Sequence, residues 1–231
     1  MESAEQELSA SRNASKIAVI TGGAGALAGA LRSELELTGW QVLAPGRREL
    51  DVCRRHSVER YFQNLERLDL LINNAGVRID RAMAAMSETD WDHVVDTSLK
   101  GAFLCSQAAA RLMIPRGDGC MVNVGSYSGR TGVAGQANYA AAKAGLVGLT
   151  QSLAREFGPA GIRVNCVLPG WLETKFTANL PQKTVVSARS AHVLGRFNSI
   201  AESARAIVSL ACLAGISGQV LQLDSRIARG G

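Results

Sequence analysis

The sequence predicts an α/β protein, built on a single doubly wound sheet of about seven parallel strands with helices on both faces. Three observations carry this. Short apolar runs alternate with longer segments of helical period. The first apolar run ends in a glycine-rich turn, Thr21-Gly-Gly-Ala-Gly25, that opens directly into a helical segment. The 231 residues hold no internal repeat, low-complexity tract or interdomain linker, and this length suffices for one α/β domain with a full core.

Taken in order, residues 16–21 read as the first strand and 26–38 as a helix. Residues 41–44 are a second strand, 50–52 a short third strand, and 56–65 a helix. Residues 69–73 form a fourth strand, 88–113 a long helical stretch, and 120–124 a fifth strand. A second long helix over 136–157 leads into a sixth strand at 163–168. Residues 171–198 carry few periodic apolar positions and read as an irregular binding segment. A helix over 201–214 and a last strand at 220–223 complete the domain, residues 15–231, behind a flexible polar extension, residues 1–14. Only Pro45-Gly-Arg-Arg-Glu49 separates the second and third strands, whereas a parallel crossover needs about a dozen residues, so the helix there is missing or vestigial.

Composition narrows the function. Hydrophobic residues make up 47% and charged residues 19%, the balance of a folded globular chain. No apolar run reaches the ~20 residues of a membrane span, and the acidic, polar start lacks the form of a secretion signal. The five cysteines are scattered without a Cys-x-x-Cys pair, which fits unpaired thiols in the cytoplasm. The three histidines lie far apart, and no metal site is expected. Net charge is +5, but the arginines form no cluster interleaved with aromatics, so nucleic acid is not an expected partner.

The chemistry concentrates in two segments. Val122-Asn-Val-Gly-Ser126 ends a strand with a hydroxyl, and Asn138-Tyr-Ala-Ala-Ala-Lys143 sets a phenol and an ammonium four residues apart in an Ala-rich helix, hence on one face. A nearby ammonium is expected to lower the phenol's pKa, and such a phenol can pass a proton while Ser126 helps to hold a carbonyl oxygen. At the glycine turn, Gly22, Gly23 and Gly25 let backbone N–H groups and a helix N-terminus approach a phosphate closely.

Thr21-Gly22, Asn73-Asn-Ala-Gly76, Ser126, Tyr139-x-x-x-Lys143 and Pro169-Gly170 stand in the order and spacing of the short-chain dehydrogenase/reductase family, which the chain resembles over about residues 16–224. Gly135-Gln-Ala-Asn-Tyr-Ala-Ala-Ala-Lys-Ala-Gly145 and Ser152-Leu-Ala-Arg-Glu156 look most like its 3-oxoacyl-acyl-carrier-protein reductase branch. The resemblance implies a Rossmann-type fold and a catalytic set of Ser126, Tyr139 and Lys143: Tyr139 is the general acid, Lys143 lowers its pKa and holds the nicotinamide ribose, and Ser126 binds the carbonyl. For the cofactor it implies Thr21, Gly22, Gly23, Gly25, Ala26 and Leu27 at the pyrophosphate turn. Asp51 and Val52 would meet adenine, Asn73, Ala75 and Gly76 would line the adenosine side and support the sheet, and Pro169, Gly170 and Thr174 would flank the nicotinamide.

The chain departs from the family pattern at three positions. Ala26 and Ala28 stand where the turn has glycines, and Ser98 stands where an asparagine supports a proton-relay water. Ser98 is shorter but can still bind water, so it joins the catalytic set. At the end of the second strand, Gly46 replaces the acid that holds an NAD ribose, and Arg47 and Arg48 follow; arginine suits a 2′-phosphate, so NADP(H) is expected over NAD(H). Trp171, Phe176, Leu180, Val185, Val186, Val193 and Leu194 suggest an apolar carbonyl substrate, a small molecule or an acyl thioester. Arg116, Arg130 and Arg189 are candidates to meet an acidic acyl carrier protein, and the family's pairing of long helices implies a dimer or tetramer. Two other readings remain open: a secondary-alcohol dehydrogenase, or a non-catalytic relative serving as a binding or assembly module.

Overall fold

The structure, a computed structural model, describes residues 15–174, 177–178 and 181–227. The extension at 1–14 and the candidate substrate-segment residues Phe176 and Leu180 lie outside the described residues.

Six parallel strands form one sheet: β1 (Ile17–Ile20), β2 (Gln41–Leu43), β3 (Leu70–Asn73), β4 (Gly119–Val124), β5 (Ile162–Leu168) and β6 (Val220–Gln222). Their spatial order is β2-β1-β3-β4-β5-β6. The helices are α1 (Ala26–Glu36), α2 (Arg55–Gln63), α3 (Glu88–Val95), α4 (Gly101–Met113), α5 (Ser128–Thr131), α6 (Ala137–Phe157), α7 (Gln182–Ser190) and α8 (Ile200–Cys212). Residues in the strands alternate between two cores. Ala18, Ile20, Ile72 and Val122 pack with α1 and α8 through Leu31, Leu35 and Ile207. Val19, Leu71, Met121 and Val164 pack on the other face with Phe62, Leu104, Ala109 and Phe157. Both faces are buried, which is why the strands read as continuous apolar runs.

The chain leaves β1 for β2 on one side and then crosses to β3 on the other. The crevice beyond the carboxyl ends of β1 and β3 is therefore the topological switch point, where open α/β sheets bind ligands. Thr21–Gly25 and Asn73–Gly76 lie there.

The sheet has six strands and not seven, because residues 50–52 form none. After β2 the backbone folds on itself, with Glu49 N and Leu50 N donating to Gly46 O at 3.0 and 2.9 Å and Arg54 N to Asp51 O at 3.1 Å. Leu50 and Val52 are buried because they cap the second core. Their apolar character mimics a strand, but the short connection from β2 leaves no length to cross over and pair.

The long helical stretch is interrupted by a π-helical turn, Asp96–Lys100, in which Gly101 N–H donates to Asp96 O. Such turns recur at functional sites. The irregular segment 171–198 contains α7. Helix α8 starts at a capping box in which Ser199 and Glu202 satisfy each other's backbone N–H groups.

Candidate active site

A cleft of about 1020 Å³ runs along the carboxyl ends of the strands. One end is bounded by backbone. Thr21 is buried, and its Oγ1 accepts from Asn74 N and Ala75 N at 3.0 Å, tying the β1 turn to the β3 turn. Gly22 has φ +71°, and a side chain there would press on the Ala75 backbone at 2.9 Å. A Cβ on Gly23 would collide with the Ala44 carbonyl oxygen, and Gly23 N–H donates to Pro45 O at 2.9 Å. Gly25 then caps α1 with extended backbone and no side-chain cap, leaving the first N–H groups of the helix facing the cleft.

Gly22, Ala24, Gly25, Ala26 and Leu27 line this end. Thr21 and Gly23 lie behind that surface and shape it. The family departures do not obstruct it. Ala26 lies on the cleft wall, and Ala28 is fully buried in the core under α1. The cradle, the helix N-terminus and the long trough beyond them fit a dinucleotide.

Further along, Arg47, Leu50, Asp51, Val52, Cys53 and Thr97 form the next stretch of wall. Arg47 Nε lies 3.9 Å from Asp51 Oδ2, and its side chain is 72% exposed, so it can turn toward a ligand. Arg48 is exposed and does not line the cleft, which corrects the expectation that both arginines meet the cofactor. Asn73 also stands outside the cleft. Its side chain turns into the sheet, donating to Asn123 Oδ1 at 2.8 Å and Ser106 Oγ at 3.0 Å, and Asn123 continues to Thr150 at 2.9 Å. Asn74, which the sequence reading did not single out, takes its place on the wall with Ala75 and Gly76.

The reactive centre lies between β4, β5 and α6. Ser126, Tyr139 and Lys143 all line the cleft. The Tyr139 phenol and the Ser126 hydroxyl are neighbours there, and Ser126 Oγ accepts from Ser128 N at 3.2 Å. Lys143 is buried, its Nζ donates to Val124 O at 2.6 Å, and it sits 5.7 Å from the Tyr139 ring centroid. Burial pushes the Lys143 ammonium down to about 8. Burial pushes the Tyr139 phenol up, against the lowering effects of Ser126 and Arg78. This corrects the expectation of a phenol made more acidic by Lys143. Spacing along the helix reveals the charge beside the phenol but not the loss of water around both groups, and desolvation dominates.

Ser98 is buried in the π-helical turn, with its Oγ accepting from Val77 N at 3.4 Å. Ser98 Oγ and Lys143 Nζ lie 3.4 and 3.5 Å from the point where Gly76 would carry a Cβ. The π turn therefore brings Ser98 beside Gly76, close to the Lys143 ammonium and off the cleft surface.

Loop 77–81 is laced to the start of α6. Gln136 Nε2 donates to Asp80 Oδ2 at 3.2 Å, Asn138 Nδ2 to Ile79 O at 3.2 Å, and Arg81 N to Gly135 O at 2.8 Å. These bonds fix the helix end that carries Tyr139. Pro169, Gly170, Trp171, Leu172, Thr174 and Thr177 also line the cleft, as do Tyr127, Gln136, Thr184 and Arg226. Gly170 has φ +92°, and a Cβ there would press on Asp224 at 2.7 Å. Thr174 N donates to Thr177 Oγ1 at 3.0 Å, shaping the turn beside Gly170. Trp171 stacks on Phe197 at 5.1 Å, and Arg189 lies over the same ring at 5.2 Å. Val193 and Leu194 are exposed and line none of the cleft.

Arg116 is not at this end of the molecule. It pairs with Asp69 at 3.0 Å beside Arg67, at the opposite edge of the strands, where burial and two guanidiniums serve structure. Arg130 is exposed in α5. Gln136, Arg78, Asp80 and Arg226 were not legible as site residues, because folding alone brings them together. Among the described residues, no cluster of His, Cys, Asp or Glu could hold a metal, and no helix is long and apolar enough to cross a membrane.

The fold and cleft define an NAD(P)-dependent oxidoreductase acting on alcohol and carbonyl groups. The chain belongs to the short-chain dehydrogenase/reductase family: residues 26–225 match the family model described as enoyl-(acyl carrier protein) reductase. It is 43% identical over 169 residues to the 3-oxoacyl-acyl-carrier-protein reductase of Thermotoga maritima, covering 72% of this chain and 69% of that one. With the reductase of the same name from Aquifex aeolicus it shares 37% identity over 218 residues, covering 92% and 87%. The dog (3R)-3-hydroxyacyl-CoA dehydrogenase is 37% identical over 183 residues, covering 75% and 71%. A crystal structure from Agrobacterium tumefaciens, assigned as a gluconate dehydrogenase, superposes with a TM-score of 0.87 at 27% identity, covering 91% of this chain and 94% of that one.

Proposed function

We propose that the chain is an NADPH-dependent ketone reductase whose substrates are 3-oxoacyl thioesters, presented on a small carrier or an acyl carrier protein. The observation that carries this is that Ser126, Tyr139 and Lys143 line one cleft together, with the Lys143 ammonium buried and held by Val124 O. Two hydroxyl donors converging on one point suit a carbonyl oxygen, which can accept from both; an isolated C=C bond offers no such acceptor.

The residues present fit the cofactor. Ala24, Gly25 and Ala26 would take the pyrophosphate, Asp51, Val52 and Ala75 the adenosine, and Pro169, Gly170 and Thr174 the nicotinamide end, with Lys143 toward the ribose. A bound NADPH supplies the hydride. Ser126 and Tyr139 orient the ketone oxygen, and Tyr139 gives it a proton as the carbon is reduced. The Tyr139 phenol, whose ionisation burial disfavours, can serve as the acid in reduction. The Lys143 charge, present below about pH 8, favours the tyrosinate left behind. Ser98, near Lys143 beside Gly76, would return a proton through water.

Arg47 on the adenosine wall supports NADPH over NADH, because it can meet a 2′-phosphate. The relatives' names support the 3-oxoacyl thioester. Self-association as a dimer or tetramer and a cytoplasmic location belong to the same reading, as does a single domain over residues 15–231. Intact hydroxyls at the reactive centre, and a turn that Ala26 and Ala28 leave open, favour this enzyme over a non-catalytic module.

The test is NADPH oxidation with a short 3-oxoacyl thioester by the wild type and Tyr139→Phe. Turnover is expected to fall about 1,000-fold in the variant, within the range for loss of a positioned acid, while NADPH binding stays within a few-fold. Equal turnover by the two proteins would remove Tyr139 from the reaction.

A further inference from the structure

The segment after β6 contributes Arg226 to the cleft wall. After β6, residues 224–226 fold back against the turn that follows α7. Val193 N donates to Ser225 O at 3.2 Å, and His192 and Arg226 pair as an isolated antiparallel bridge. This arm puts a cation on the cleft wall. The Arg226 guanidinium lies over the Tyr127 ring, 3.7 Å from its centroid, one residue from Ser126.

Arg226 is held as a built part of the site. Asp224, whose side chain is fully buried, binds it through Oδ2, accepting from Nε at 2.8 Å and from Nη2. Asp224 Oδ1 accepts from the Arg226 backbone N–H at 3.0 Å and from Gln222 Nε2 at 2.6 Å, so the carboxylate is itself fixed. The Arg226 side chain is 11% exposed. Its remaining terminal nitrogen, Nη1, has no acceptor among the described residues. A guanidinium held this firmly, stacked on an aromatic face, with its Nη1 amino group left over beside a cleft, is preorganised for an oxygen acceptor.

The charge balance selects the kind of acceptor. Asp224 already offsets Arg226, and Asp80 offsets Arg78 at 3.2 Å on the facing loop. With its own charge already met by Asp224, Arg226 offers a hydrogen bond rather than an unpaired cation, which suits a neutral carbonyl. We propose that Arg226 is a specificity residue whose Nη1 donates to the thioester carbonyl of the substrate while Ser126 and Tyr139 hold its ketone oxygen. This rests on the ketone-reductase reading and deepens it. Two carbonyls separated by one methylene would be gripped at both oxygens, and a ketone lacking the second carbonyl would be gripped at one.

The experiment compares kcat/KM for the acetoacetyl thioester of N-acetylcysteamine, free acetoacetate and cyclohexanone. It uses the wild type, Arg226→Lys, which keeps a charge against Asp224, and a double variant, Arg226→Gln with Asp224→Asn, which removes the buried pair together. The ratio of thioester to cyclohexanone kcat/KM is expected to fall about 10- to 100-fold in both variants, the worth of one hydrogen bond from a charged donor. An equal loss on both ketones, or none on the thioester, overturns the proposal, since a structural role lowers all substrates alike. A larger loss on acetoacetate than on the thioester overturns it in favour of an anion site. If the wild type reduces none of the three, the ketone-reductase reading fails separately, and equilibrium binding of the thioester decides. Binding weakened by the same factor in both variants supports the contact, and unchanged or undetectable binding overturns it.

Discussion

The two ends of the cleft are built from different materials. At the turn between β1 and α1, the surface is backbone: Gly22 at φ +71°, Gly23 against the Ala44 carbonyl and Gly25 opening a helix. At the other end the surface is side chains: Trp171 on Phe197, Arg226 on Tyr127, and Gln136 bonded to Asp80. A backbone surface recognises groups common to many ligands, such as a pyrophosphate, and tolerates almost no added atom. A side-chain surface can be changed one residue at a time without disturbing the fold, and it is where substrate choice belongs. Tyr139 and Lys143, on one face of α6, stand where the two meet.

The sharpest way to break this contrast is Gly23→Ala. A methyl there meets main-chain oxygen rather than a flexible side chain, so β1 and β2 must shift. A loss of about 3 kcal/mol in stability, with NADPH binding abolished, is expected in denaturant titrations and calorimetry. A variant of normal stability and affinity would show that the turn is not a rigid cradle.

Next in size is Lys143→Met. Folding holds Lys143 near about 8 against an ordinary 10.5, so between those values the unfolded chain binds a proton that the folded chain lacks. The stability owed to this residue therefore rises as pH increases from about 8 to 10.5, and below about 8 the buried charge costs about 3 kcal/mol, partly offset by its bond to Val124 O. Lys143→Met should be more stable than the wild type at pH 7, with the difference shrinking toward pH 10.5 in thermal melts, and it should lose reductase activity. A difference independent of pH would mean that the lysine is not desolvated.

A smaller effect is expected from Arg47→Ala. NADPH affinity should weaken about 10-fold while NADH affinity changes little, because only the 2′-phosphate distinguishes them. The smallest belongs to Gly29→Ala, the control for the glycine turn. A Cβ at Gly29 meets nothing within 4 Å, and the residue lies inside α1. It should stabilise by about 0.5–1 kcal/mol without changing cofactor affinity.

The same contrast governs what the sequence reveals. The backbone end was legible because a glycine turn between a strand and a helix is contiguous, and Ser126, Tyr139 and Lys143 were legible because helical spacing fixes their common face. Arg226, Arg78 and Asp80 were not, since no local pattern announces that the chain's end will fold onto Tyr127. Leu50 and Val52 read as a strand because a core plug and a strand share one apolar pattern. Which of Asn73 and Asn74 reaches the cleft was not legible, since neighbouring residues at a strand end face opposite directions and only the sheet shows that Asn73 turns inward. The direction of the Tyr139 shift was misread because a neighbour's charge is visible along the helix and desolvation is not.

The most direct test of the central claim is calorimetric titration of the wild type with NADPH and with NADH. The account predicts saturable binding of both at one site per chain, with NADPH the tighter. Binding of neither would contradict it, because a cleft that holds no dinucleotide leaves Tyr139 with no hydride transfer to complete.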